Sequence, residues 1–146
     1  SYLQESQYHR DGMFYTPDMS RRSRSVDLWA TLKYLGRSGV EELVNGLVAR
    51  AQAFGRLLAQ VDGFVVLNDV VFNQCLVKCH SSEKTTATLM ELQASGLVWC
   101  GGSQWEGEPA IRISCCSWAT TVDDVTASVE VFKEAHCVAV CKINNI

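Results

Sequence analysis

The chain has 146 residues, of which 47% are hydrophobic and 20% charged, and its formal net charge is -3 at pH 7. The length fits one domain of common size, and the composition is that of a globular protein. A slightly negative chain offers no broad positive field for nucleic acid, and its apolar runs fall far short of the ~20 residues that a membrane-spanning helix needs. With no signal-peptide pattern at its start, the sequence predicts a soluble cytoplasmic protein without a nucleic-acid or membrane partner.

Seven cysteines raise the question of a disulfide framework or a metal site. Their number is odd, and no pair has the Cys-x-x-Cys spacing. Cys75 and Cys79 fall in one predicted strand, where four residues span about 13 Å, too far to share an ion. Cys137 and Cys141 would share a helix face and could chelate a metal together with a nearby histidine. Burial as small apolar side chains is the commoner use of free cysteine, so we predict no metal site.

The first half of the chain predicts a loop followed by two helices. Residues 1–19 lack sustained periodicity and are typical of a loop. A first helix starts at Ser20 or Ser23 and ends at Gly36, and a second follows from residue 40 to 61. The first helix has an apolar side predicted to be buried: Val26, Trp29, Leu32, Tyr34 and Leu35. The second has a longer one at three- and four-residue spacing: Val40, Leu43, Val44, Leu47, Ala51, Phe54, Leu58 and Val61.

The second half predicts a small sheet followed by a helix. Two apolar runs, 64–67 and 71–79, are separated by Asn68-Asp69 and predict a pair of strands that form a hairpin. Further along come a helix at 85–94, a strand at 97–100, a turn-rich connection at 101–109 and a strand at 110–116. Thr120 or Thr121 then caps a final helix with an acidic first turn. Helices packed on a small, mainly antiparallel sheet predict an α+β fold.

Arg112 is the first candidate for a functional residue, because it lies within the apolar run Ala-Ile-Arg-Ile. Burying an unpaired guanidinium is very costly, so an arginine in such a run predicts an anionic partner. Periodicity alone also allows a structural explanation, in which the stem packs while the head reaches water or a structural carboxylate.

Several stretches, in order and at matching spacing, carry a resemblance to a known family. They are residues 1–3, 17–22, 28–39, 67–74, 92–96, 110–114 and 117–121. Together they make the chain resemble the C-terminal portion of the pyridoxal-phosphate-dependent amino-acid decarboxylases of the aromatic and glutamate decarboxylase group, also called group II. Residues 137–146 fall outside the pattern.

The resemblance implies the small C-terminal α+β domain of a fold-type-I pyridoxal-phosphate enzyme that works as a homodimer. Residues 1–19 would then be a catalytic-loop segment and linker, and residues 20–146 the small domain, with the large cofactor domain absent from this chain. In the family the Schiff-base lysine directly follows a histidine, and no His-Lys pair occurs here. The chain alone is therefore expected not to hold pyridoxal 5'-phosphate covalently and to be inactive by itself.

Three residues take roles from the resemblance. Tyr2 matches a tyrosine on a mobile loop that protonates the α-carbon after carbon dioxide leaves, and a closing loop of this kind also excludes water. Arg112 matches an arginine that faces the substrate carboxylate, for which a bidentate guanidinium is well suited. Ser20 begins the first helix beside two arginines, where it could contact a cofactor phosphate of the partner subunit; structural salt bridges are the alternative for that corner.

The function that the resemblance implies is decarboxylation of an L-amino acid to an amine and carbon dioxide. Two alternatives remain open. One keeps the cofactor but forms an aldehyde or transfers the amino group, and the other is an inactive or stand-alone interaction domain derived from the family.

Overall fold

The computed structural model describes residues 8, 10, 12–17 and 22–145, and the chain divides into two compact units, 1–38 and 39–146. In the first unit, part of the predicted loop forms a short 3-10 helix at Gly12–Tyr15. The Arg10 guanidinium donates a hydrogen bond to the Phe14 carbonyl and lies 4.4 Å from the centre of the Tyr15 ring. This segment is therefore held by local contacts of one arginine.

The helix α1 (Ser25–Leu58) contains the predicted interruption at Gly36, whose φ of 63° and ψ of -173° are not helical. Glycine reaches this left-handed φ without the strain that a Cβ brings. The prediction that residues 37–39 form a connection is wrong, because the helix resumes directly after Gly36. The predicted burial of the first helix's apolar side is also wrong: Val26 and Trp29 are 58% and 62% exposed. Helical spacing indicates an apolar face but does not say what covers it.

The second unit contains four strands, β1 (Phe64–Val66), β2 (Gln74–Cys79), β3 (Gly101–Trp105) and β4 (Glu108–Ser114). They form one antiparallel sheet in the order β1-β2-β4-β3. The prediction of helices on a small antiparallel sheet is confirmed. The strand β4, which carries Arg112, lies between two neighbours and has no free edge.

The structure corrects two strand boundaries. Residues 71–73 belong to a loop rather than to β2, and the predicted strand at 97–100 is not a strand. The stretch 101–109, predicted as a turn-rich connection, holds β3 and the start of β4. The turn itself is only Glu106-Gly107, with positive φ values of 52° and 85°, between the paired residues Trp105 and Glu108. A two-residue hairpin turn with both φ values positive matches the twist of its strands.

Two capped helices complete the unit, α2 (Ser82–Ser95) and α3 (Val122–Asn144). The Ser81 hydroxyl caps α2, which ends at the left-handed Gly96. At the start of α3, Thr121 and Asp124 form a capping box, which confirms Thr121 as the predicted cap. The residues that fall outside the family resemblance, up to Asn144, continue this helix.

The core lies on one face of the sheet. Alternation along β2 and β4 points every second side chain inward, and those side chains pack with α1, α2 and α3. The largest fully buried members are Phe132, Leu58, Leu92, Ile111 and Val77. The buried side predicted for the second helix is confirmed at Ala51, Phe54 and Leu58, which lie toward its end.

The cysteines only partly follow the prediction of burial. Cys75, Cys79, Cys100 and Cys115 are buried, and burial raises the pKa of the Cys75 and Cys100 thiols to about 11, with Cys115 adding to the effect at Cys75. Such thiols stay protonated and act as small apolar side chains. Three cysteines are exposed instead: Cys116, Cys137 and Cys141. For the last two the expectation of burial is wrong.

Candidate functional site

Arg112 lies on the sheet face opposite the core. It is directly paired with Leu76 on β2 and with Gly101 on β3. Its side chain is exposed, while its neighbours Ile111 and Ile113 are buried on the other face. Alternation turns this position outward, so the guanidinium is not buried in the apolar run; an arginine head that reaches water was the alternative that periodicity left open.

The Arg112 head leans over β3. A Cβ atom added to Gly101 would lie 3.6 Å from Arg112 Nη2 and 4.0 Å from Nε. Leu76 occupies the other side of Arg112, whereas Gly101 has no side chain to obstruct it. The pair of neighbours therefore favours a guanidinium directed toward the edge strand.

Within the described part of the chain, no hydrogen bond or ion pair holds the Arg112 guanidinium. The structural explanation that a carboxylate of the same domain neutralises it is therefore not supported. Its five N–H donors remain available, in the fork geometry that matches a carboxylate.

Uncharged polar side chains lie beside Arg112 on the same sheet face. Gln74 and Ser114 are directly paired across β2 and β4, two residues from the Leu76–Arg112 pair, and both are exposed. An amide, a hydroxyl and a guanidinium on one face provide both donors and acceptors. This face is able to bind a small molecule that carries a carboxylate.

Two asparagines shape the loop next to this face. The Asn68 side chain accepts from the Leu76 N–H at 2.8 Å and donates to the Gln74 carbonyl at 3.3 Å. The Asn73 side-chain amide donates to the Cys115 carbonyl at 3.1 Å, and the Asn73 backbone carbonyl accepts from the Cys115 N–H. These bonds close residues 67–73 against β2 and the end of β4.

The asparagine-held loop borders an open cleft of about 470 Å³. It is lined by Asn68, Val71, Phe72, Asn73 and Gln74. Because Gln74 also belongs to the Arg112 face, the cleft and that face adjoin. These residues belong to the stretch 67–74 that carries the family resemblance, but none of them was predicted to have a role. The available signal was two asparagines on either side of an apolar run.

Of the three predicted site residues, the structure describes one. Tyr2 and Ser20 lie outside the described residues, so only Arg112 has a described position. Beside Ser20 in the sequence, the Arg22 guanidinium makes an exposed ion pair with Asp27 at 3.1 Å. For Arg22 this agrees with the structural salt bridge that the sequence left open.

A second polar group joins β2, α2 and α3 inside the domain. The His136 Nδ1 atom lies 3.1 Å from the Thr88 hydroxyl and 3.4 Å from the Cys79 sulfur. The Phe64 ring packs on the imidazole with the ring centres 5.0 Å apart. A side chain at Gly63 would overlap this imidazole, and its φ of 98° also favours glycine. Desolvation, followed by the charges of Lys84 and His80, lowers the pKa of His136.

We expect His136 to make the domain less stable in mild acid. The unfolded imidazole has its ordinary pKa near 6.5, and the folded one has a lower pKa, so the unfolded state binds the proton first. The stability contributed by neutral His136 is present above about pH 6.5 and is lost as the pH falls toward the folded pKa. Chemical denaturation of the chain on both sides of about pH 6.5 measures this dependence.

The matched variants for this prediction are His136→Gln and His80→Gln. The first is expected to flatten the pH dependence in this range and to cost about 1 kcal/mol at neutral pH through the lost hydrogen bond. The second removes an exposed histidine and is expected to leave most of the slope. An unchanged slope in His136→Gln would contradict the assignment.

Among the described residues, no group of three or more His, Cys, Asp or Glu side chains is arranged to hold a metal ion. No helix in the described ranges combines the length and hydrophobicity needed to cross a membrane.

The fold is that of part of the group II pyridoxal-phosphate-dependent decarboxylases, so the resemblance predicted from the sequence is confirmed. The structure of Oryza sativa TDC with PLP and tryptamine has a TM-score of 0.74 and 19% identity, over 80% of this chain and 27% of that one. Rhodiola rosea 4-hydroxyphenylacetaldehyde synthase has a TM-score of 0.72 and 24% identity over the same shares, 80% and 27%. At these identities the likeness establishes the fold.

Sequence comparison points the same way. The aromatic-L-amino-acid decarboxylase of Manduca sexta is 25% identical over 117 residues, which cover 80% of this chain and 23% of that protein. No family model matches the chain. The chain thus spans about a quarter of the length of the curated relative.

Proposed function

We propose that the chain is the C-terminal part of a pyridoxal-phosphate-dependent L-amino-acid decarboxylase, a carboxy-lyase that releases carbon dioxide and an amine. The observation that carries the proposal is the exposed, unpaired Arg112 on a fold shared with such enzymes. The similarity to the Manduca sexta enzyme supports it from the sequence side.

In this proposal each part of the chain has its own role. Residues 1–19 are the catalytic-loop segment and linker, and residues 20–146 are the small domain. Arg112 binds and orients a substrate carboxylate, Tyr2 donates a proton at the α-carbon and helps to exclude water, and Ser20 contacts the cofactor phosphate. Bound pyridoxal 5'-phosphate supplies the electron sink that carbon dioxide loss requires. The working form is a cytoplasmic homodimer of a longer polypeptide.

The described residues fit one side of such a site. The Arg112 face offers donors for a substrate carboxylate, which is the group a decarboxylase has to recognise. No His-Lys pair is present in the sequence, so the proposal assigns the covalent lysine to a cofactor domain outside this chain.

The test is to express the full-length parent protein and measure three properties. We expect the visible absorbance of lysine-bound cofactor, carbon dioxide release from an amino acid, and an amine product. A parent that shows neither the absorbance nor carbon dioxide release from any amino acid would leave the stand-alone interaction domain as the explanation.

A second enzymatic candidate is aldehyde formation, and the fold shared with the Rhodiola rosea aldehyde synthase keeps it in consideration. The tyrosine at position 2 favours the amine-forming reaction, because it provides a proton donor for the α-carbon. Product analysis separates the candidates, since amine, aldehyde and amino-group transfer to a keto acid give different products.

A further inference from the structure

The strand β3 lies at one edge of the sheet, so one side of its backbone has no neighbouring strand among the described residues. In a hairpin with a two-residue turn, the two residues that flank the turn, here Trp105 and Glu108, are a hydrogen-bonded pair. Hydrogen-bonded and non-hydrogen-bonded pairs alternate along antiparallel strands. Gly102 and Gln104 therefore direct their backbone N–H and C=O groups away from β4, toward the open edge.

Two other observations agree with this direction. Pro109, which has no N–H to donate, lies opposite Gln104, where no bond between the two strands is needed. The Cys100 carbonyl, two residues before Gly102, accepts a hydrogen bond from the Gln93 side chain of α2 rather than from a strand. Within the described part of the chain, no hydrogen bond satisfies the outward groups of Gly102 and Gln104, and both residues are exposed.

The open edge of β3 lacks the features that keep edge strands from pairing. Natural edges are blocked by lysines and other charges, by proline or by a bulge. The strand Gly101–Trp105 has no charged residue and no proline, and its pairing with β4 is regular. The opposite edge, β1, is only three residues long, and shortness is itself a protection. The edge at which another strand can be added is therefore that of β3.

The sequence of β3, Gly-Gly-Ser-Gln-Trp, has small residues at one end and large ones at the other. Two copies that pair antiparallel about a two-fold axis at Ser103 bring each small residue opposite a large one. Gly101 then lies opposite Trp105, an arrangement in which an aromatic side chain packs over an edge glycine. Gly102 lies opposite Gln104, and the outward backbone groups of these two residues form the hydrogen-bonded pairs.

Both faces of the edge have room for these side chains. On the side of α2, a cleft of about 510 Å³ borders β3 and is lined in part by Gly102, so the second copy's Gln104 would enter it. On the other face, the Arg112 head lies over Gly101. The second copy's Trp105 would lie beside that guanidinium, and an indole face attracts a cation. Stacking leaves the N–H donors at the edge of the guanidinium free, so Arg112 could still bind a carboxylate.

We propose that β3 is an interaction surface for a second copy of this chain, which adds its own β3 antiparallel about Ser103 and joins the two sheets into one. Backbone hydrogen bonds provide the affinity in strand addition, and the side chains fix the register. A five-residue strand buries a small area, so the association is weak. The inference does not depend on the decarboxylase proposal.

Sedimentation velocity of the chain over a range of concentrations tests this association. We expect a reversible monomer–dimer equilibrium with a Kd of about 100 µM, in keeping with a small interface. Ser103→Lys and Ser103→Glu each place two like charges directly opposite each other at the axis, and each should raise the Kd by about tenfold or more. In an equimolar mixture of the two variants opposite charges face each other, so association should be restored.

The matched controls are Val65→Lys and Val65→Glu, which introduce the same charges on the opposite edge strand, where the side chain is 40% exposed. They should leave the Kd unchanged. Gln104→Pro replaces the Ser103 variants if a charge at that position prevents folding. It removes the outward N–H of position 104 but no bond to β4, and it should abolish the dimer.

The inference is overturned if the chain remains monomeric up to about 1 mM, a result that would leave the edge to a strand of a different protein. It is also overturned if the variants at Ser103 or Gln104 dimerise as tightly as the original chain, because the contact would then lie elsewhere. Failure of the mixed Ser103 variants to associate would exclude the proposed register and overturn the inference as well.

Discussion

Replacing Phe132 with alanine is expected to lower the free energy of unfolding of the chain by about 4 kcal/mol. Phe132 is 1% exposed, and its ring centre lies 5.2 Å from that of Phe54 and 5.9 Å from that of Phe64. Truncation of a buried phenylalanine loses its transfer free energy and leaves a cavity, typically at a cost of about 3–5 kcal/mol. Because a domain is stable by only about 5–15 kcal/mol, the loss is easily measured by chemical denaturation.

The matched control is Val138→Ala on the same helix, where the side chain is 43% exposed. It removes apolar atoms without opening a buried cavity, so we expect a loss below about 1 kcal/mol. If Phe132→Ala cost no more than Val138→Ala, the aromatic cluster would not be the centre of the core.

Periodicity predicted most of the helical framework but not the edge of the sheet. The apolar spacing of the long helix correctly predicted that Phe54 and Leu58 are buried. The capping pattern placed the start of the final helix at Thr120 or Thr121, and Thr121 is the cap. The strand β3 was missed because Gly101 and Gly102 read as turn residues. A Cβ on Gly102 would lie 3.2 Å from Leu89 Cδ2, so here glycine allows α2 to pack closely against the strand. That contact is tertiary and leaves no local signal.

The candidate site was predictable in part. Its position in an apolar run and the family resemblance together predicted Arg112 as a functional residue. The outward direction of its side chain depends on the strand register with Leu76 and Gly101. The roles of Asn68 and Asn73 depend on the backbone groups that they meet on β2 and beyond β4. Those partners are up to 42 residues away in the chain. The sequence of a loop does not show which distant backbone groups its side chains will bind.

In the full-length enzyme, Arg112→Ala is expected to raise KM for the amino acid by about 100-fold. Two charge-assisted hydrogen bonds to a carboxylate, at about 1.5 kcal/mol each, amount to this factor. The carboxylate is bound in both ground and transition states, so kcat should change much less than KM. Arg112→Lys keeps the charge but loses the fork, and a rise of about tenfold is expected. Steady-state kinetics measures both parameters.

The absorbance of bound cofactor separates a substrate-binding role from a structural one. Because Arg112 is exposed and makes no internal bond in the described part of the chain, both variants should fold and retain that absorbance. Arg56→Ala removes another exposed arginine and should leave KM unchanged. An unaltered KM in Arg112→Ala would make Arg112 a surface residue, even if the parent proved to be a decarboxylase. If a variant lost the cofactor along with its activity, Arg112 would instead be a residue that stabilises the cofactor domain.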